Sequence, residues 1–167
     1  MMKKLYTILF LSFLLSSSIP GMSQVKAAAT NMELYYGGNT TKQAVNQIPK
    51  LTDIVQVSTN QLLITYDQQV DINSATKPSN NWIQSLTDLR PTGIATLGKS
   101  GKINSQNSLT NDKVTIAKVQ GDNNSFLLTF NQNIPSKTKY RMIVCYVTTP
   151  GGAPYNGDNG MVEFTTK

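Results

Sequence analysis

Gln61–Ile83 reads QLLITYDQQVDINSATKPSNNWI. Leu62, Ile64 and Tyr66 alternate with Leu63, Thr65 and Asp67, the period of a strand that buries one face. Beyond Val70 the chain meets Asp71, Asn73, Ser74 and Pro78, residues that favour turns, and then a large aromatic, Trp82. A strand, a turn-rich loop and an aromatic anchor suit a β-sandwich better than a catalytic frame.

The flanking segments repeat the pattern. Asp53–Val57 reads as a strand, and Ser58-Thr59-Asn60 as the turn that joins it to Gln61–Tyr66 in a hairpin. Ile83–Leu89 fits neither period. In Pro91–Asp112, Ile94, Ala95 and Leu97 suggest a short strand, and Gly98–Asp112 reads as an exposed loop rich in Gly, Ser and Asn. Lys113–Lys118 alternates again. Gly121-Asp122-Asn123-Asn124 is a turn, and Ser125–Phe130 returns with Phe126, Leu128 and Phe130 on one face. Tyr140–Val147 presents Tyr140, Met142 and Val144 together. Pro150–Gly160 is a long loop, and Met161–Thr166 is a last strand. Asn31–Tyr36 (NMELYY) adds a possible strand near the start. Seven or eight short strands, with no sustained helical period, give an all-β, Ig-like antiparallel sandwich.

Lys3 and Lys4 precede an apolar run of eleven residues, Leu5–Leu15, and Ala27-Ala28-Ala29 follows after a more polar stretch. A basic start, a short apolar core and small residues make a secretory signal peptide. The run is well short of the roughly 20 residues a spanning helix needs, so no membrane span is expected. The expected organisation is a signal peptide over 1–29, an N-terminal extension over 30–49 and the sandwich over 50–167. The expected address is secreted or extracellular, with cell-surface association possible.

The formal charge of +6 includes three lysines of that leader. Without Lys3, Lys4 and Lys26, twelve basic residues face nine acidic ones, a net charge of +3. The lysines form no run and no aromatic-spaced patch, so nucleic acid is not an expected partner. One cysteine, Cys145, means no internal disulfide, and stability rests on packing and ladders. Alternating with Val144 and Tyr146, Cys145 reads as a small strand residue, with an intermolecular bridge as the other option.

Histidine is absent. No Ser-His-Asp or Cys-His nucleophile can be built, and neither can a His-ligated zinc site. Gly93–Ser100 (GIATLGKS) spells the phosphate-loop pattern but lacks the strand before and the helix after that the chemistry requires, so no nucleotide is expected. Ser74-Ala75-Thr76-Lys77 matches S-x-x-K without the other elements of a serine acylase. Asn156-Gly157-Asp158-Asn159-Gly160 alternates oxygen donors somewhat as calcium loops do, but no glutamate closes it at the twelfth position. The bland reading is a turn, and the other reading is a weak calcium site, the one cofactor the sequence offers. No acidic pair stands out for glycoside hydrolysis. Tyr35, Tyr36, Trp82, Tyr146 and Tyr155 could form an aromatic binding surface or pack in the interior. Trp82 reads as core, and Tyr155 stays open. No catalytic, cofactor-binding or metal-ligating residue is assigned, and the chain does not read as an enzyme.

Two segments carry a family resemblance. LLITYDQQVDINSATKPSNNWI (62–83) supplies Val70-Asp71, Ser74-Ala75-Thr76 and Asn81-Trp82; IPSKTKYRMIVCYVTTPGGAPYNGDNGMVEFTT (134–166) supplies Lys139-Tyr140, Val147 and Phe164-Thr165-Thr166. Together they resemble bacterial Ig-like domains of the SbsA type, found in surface-layer and other secreted proteins. The likeness covers about Lys50–Lys167. Trp82 stands where Tyr is usual, and the 151–160 loop departs from the family's Asp-x-x-Gly-Asn form. The resemblance implies a cell-surface spacer, assembly or recognition module. The leading expectation is a secreted, non-catalytic binding or structural domain whose partner is a protein or cell-wall polysaccharide. The alternative is a self-assembling surface or fibre subunit that uses residues 30–49 for strand exchange. A remote third is a polymer-acting hydrolase.

Overall fold

A computed structural model describes residues 48–167, all of which lie in one compact unit. The signal-peptide reading and Asn31–Tyr36 fall outside the described residues.

Seven strands form two antiparallel sheets. In chain order they are β1 (Leu51–Ser58), β2 (Gln61–Tyr66), β3 (Asn81–Ser85), β4 (Val114–Lys118), β5 (Ser125–Phe130), β6 (Lys139–Cys145) and β7 (Asp158–Thr165). One sheet runs β1-β2-β5-β4, the other β3-β6-β7. A single helical turn, α1 (Ile72–Ala75), and a 3-10 turn over Pro78–Asn80 lie between β2 and β3. Asp71 caps α1 by accepting the Ser74 N–H at 2.8 Å. The all-β sandwich expected from the sequence is what the chain forms.

The alternating strands bury the faces their sequences dictate. Leu62, Ile64 and Tyr66 of β2 meet Phe126, Leu128 and Phe130 of β5 in the interior, opposite Tyr140, Met142 and Val144 of β6. Register pairs Leu62 with Leu128 and Ile64 with Phe126. Tyr66 and Phe126 add an edge-to-face contact at 6.0 Å.

β3 is different, because all five of its residues are buried. Ile83 faces the main core, while Trp82 and Gln84 point to the outer side of the sheet. That side is roofed by the segment after β3. Trp82, Leu97, Ile143 and Cys145 make a second, small apolar cluster there. Trp82 Nε1 donates to the Asn104 carbonyl and to Asn107 Oδ1, both at 3.0 Å. Gln84 Nε2 sits among the carbonyls of Gly98, Lys99 and Gly101 at 3.1–3.3 Å. So Trp82 is buried as expected, but outside the main core.

The same roof corrects the reading of Gly98–Asp112 as simply exposed. Residues 101–106 are exposed, yet Ser108 and Leu109 are buried and the loop carbonyls cap Trp82 and Gln84. Nor do Ile94, Ala95 and Leu97 form a strand. Leu97 makes an isolated parallel bridge with Gln84, backed by Ser85 N–H to Leu97 O at 2.9 Å and Thr96 N–H to Ile83 O at 2.7 Å. These bonds occupy the outer edge of β3.

Candidate functional site

Two features of the sandwich stand out among the described residues. One is a cleft at the end of the molecule, and the other is a strand edge.

The cleft is an open depression of about 660 Å³ between the α1 loop and the β6–β7 loop. Asp71, Asn73, Ser74 and Lys77 form one wall; Tyr146, Thr148, Thr149, Tyr155 and Asn156 are on the other. The register of β6 against β7 shifts between Ile143 and Cys145. Tyr146 then adopts φ 66°, the left-handed region that disfavours a tyrosine. The shift moves the strand out of phase, so Val147 is buried while Tyr146 is 42% exposed. The Tyr146 ring stands edge-on to Trp82 at 6.2 Å, and its N–H donates to Gly157 O at 2.9 Å. Tyr155 packs against Gly157, where a Cβ would come within 2.3 Å of the phenol oxygen, and its hydroxyl donates to Asp158 O at 3.1 Å. A side chain at that position would have to displace the Tyr155 ring.

The second wall is anchored by Asn159, which is fully buried. Its Oδ1 accepts the Val147 N–H at 2.8 Å, and its Nδ2 donates to Val147 O and Pro49 O at 2.8 and 2.9 Å. The sequence reading missed this residue as an anchor; its only signal was an amide beside Gly160, in a loop that read as a turn.

The strand edges differ in how they are finished. β1 and β7 lie beside each other, and side chains close that gap. Asn159 reaches Pro49 O, Lys50 Nζ donates to Asp158 O at 3.0 Å, and Gln56 Oε1 accepts the Lys167 N–H at 2.8 Å. The outer edge of β3 is taken by residues 96–97. β4 pairs with β5 on one side only. Asn131 N–H to Lys113 O and Val119 N–H to Ser125 O fix which residues bond inward, namely the odd-numbered ones. The backbone groups of Ile116 and Lys118 therefore face outward, and no described residue pairs with them.

The motifs singled out in the sequence do not assemble a catalytic centre. In 93–100, Gly93 lies in a turn with φ 57°, Gly98 packs against the Leu89 carbonyl, and no helix follows. Ser74 and Lys77 both line the cleft, but the Ser74 hydroxyl is spent on the Asp71 carbonyl at 3.1 Å. In the 156–160 loop Asp158 Oδ1 accepts the Gly160 N–H at 2.6 Å, while Asn159 points inward. Other carboxylates serve turns or pairs: Asp67 accepts from Lys50 N–H, Asp122 from Asn124 N–H, and Glu163 pairs with Arg141 on the outer face. Among the described residues no group of three His, Cys, Asp or Glu side chains is placed to hold a metal ion. Cys145 is a free, buried thiol, and burial with the nearby Asp158 charge raises its pKa. In this fold it is sheltered from an intermolecular bridge.

No family model matches the chain, and no curated protein matches it either. The SbsA-type resemblance therefore has no family match behind it. The chain is similar to a solved structure of the S-layer protein rSbsC(31-844), with 15% identity over 72% of this chain and a TM-score of 0.48. It is also similar to the N-terminal part of the bacterial S-layer protein SbsC (13% identity, 71% covered, TM-score 0.45) and to SbsC domains 1-6 (12%, 71%, 0.46). The chain spans 14%, 24% and 14% of those structures. At these identities and scores the likeness says nothing of activity or assembly. No helix of the described residues is long and apolar enough to cross a membrane.

Proposed function

We propose that the protein is an extracellular, non-catalytic structural module that joins copies of itself by strand exchange, with residues 30–49 of one copy pairing along β4 of the next. The observation that supports this most directly is the unfinished edge of β4. Among the described residues, side chains bridge the ends of the β1–β7 margin and residues 96–97 occupy the edge of β3, whereas β4 has no such bridge, and an added strand would find unpaired N–H and C=O groups there. The segment NMELYY carries the residue types of a strand. Eleven residues separate it from Ile48 and reach at most about 40 Å, enough to pass from one sandwich to another. Lys118 and Lys113 flank the edge and discourage unselective pairing.

Light scattering on the full-length chain tests the reading. Oligomers that fall to monomer on deletion of residues 30–49 would support it. A monomer at high concentration, with calcium and with chelator alike, would remove it.

A further inference from the structure

We infer that the end cleft is a binding site for an uncharged oligosaccharide. The inference is independent of strand exchange. Its volume of about 660 Å³ lies within the roughly 300–1,000 Å³ of small-molecule sites. The charged side chains lining it are Asp71 and Lys77, one of each sign, and the Asp71 carboxylate already caps α1. That balance attracts neither a polyanion nor a polycation. The remaining polar lining consists of amides and hydroxyls. Asn73, Asn156, Thr149 Oγ1 and Lys77 Nζ make no hydrogen bond to a described residue, so their donors and acceptors stay available to a ligand. A sugar offers the complementary set, with alternating hydroxyls and an apolar ring face.

Two tyrosines supply surfaces for that ring face. Tyr155 donates its hydroxyl to Asp158 O and lays its ring on Gly157. Tyr146 is held in a left-handed conformation that any tyrosine resists, with its ring kept partly exposed. Such strain persists where the surroundings enforce it, and it concentrates at functional sites. A rigid aromatic placed at low entropic cost is an effective contact for a flexible chain.

The test titrates the full-length chain with maltotetraose, cellotetraose and N-acetylchitotetraose, followed by calorimetry and amide chemical shifts, with polyglutamate as the charged control. The expected result is saturable binding of at least one of these oligosaccharides, insensitive to salt. Shifts should be confined to the two cleft walls. Tyr146→Gly should weaken binding about tenfold with an unchanged melting temperature. If that variant does not fold, Asn156→Ala supplies the same comparison. No saturation by any of the sugars at millimolar concentration would overturn the inference. So would affinity untouched by the substitutions, or binding to polyglutamate alone that falls with salt.

Discussion

The two lateral margins of this sandwich are built in opposite ways. On the β1–β7 side, the ends of backbone edges that do not pair are bridged by Asn159, Lys50 and Gln56. On the β4 side nothing of the kind is present among the described residues, and the outward groups of Ile116 and Lys118 stay open. An edge can be retired by side chains as well as by a strand. Where neither has been supplied, the edge is available for association.

Breaking the closed margin should have the largest effect. Asn159→Ala leaves the Val147 N–H and two carbonyls without partners in a buried setting, and should cost about 3 kcal/mol in chemical unfolding. A loss under about 1 kcal/mol would mean that the margin is held by packing alone. Next comes the roof over β3. Trp82→Phe keeps most of the apolar contact with Leu97 and Ile143 but deletes both indole hydrogen bonds. It should cost about 1–2 kcal/mol and speed amide exchange at Asn104 and Asn107. Unchanged exchange there would show that the roof does not depend on Trp82.

The open margin is probed by a smaller perturbation of the fold. Lys118→Pro removes an outward N–H while leaving the β4–β5 ladder complete, so its stability should stay within about 1 kcal/mol of the parent. The smallest effect concerns Cys145. Its raised pKa means the folded state holds the neutral thiol more firmly than the unfolded chain does. Its contribution to stability is therefore full below the ordinary thiol value of 9.0 and is lost as pH rises past it towards the folded value. Alkylation of native protein should stay slow through pH 9 and accelerate in denaturant. Fast alkylation of the native chain would contradict the buried position.

Strands with one wet face were legible from sequence. β2 and β5 show clean alternation because only one side of each is buried along most of its length, whereas β6 alternates only over Lys139–Met142 and is buried on both sides from there to Cys145. β3 was not legible, since burial on both faces erases the period. Composition also misjudged Gly98–Asp112. Its polar content is real, but the carbonyls are aimed at Trp82 and Gln84 rather than at water. Tyr146 shows a third limit. The phase set by Tyr140, Met142 and Val144 would place it inside, and a register shift after Ile143 turns it out. That a cleft exists could not be read in advance, because its walls come from segments some seventy residues apart that meet only in the fold.

The most direct test of the open-edge account compares the molar mass of the full-length chain with that of Lys118→Pro by light scattering over a concentration series. The account predicts that the parent grows with concentration while the variant stays monomeric and equally stable. A variant that assembles like the parent, or a parent that never assembles, would contradict it.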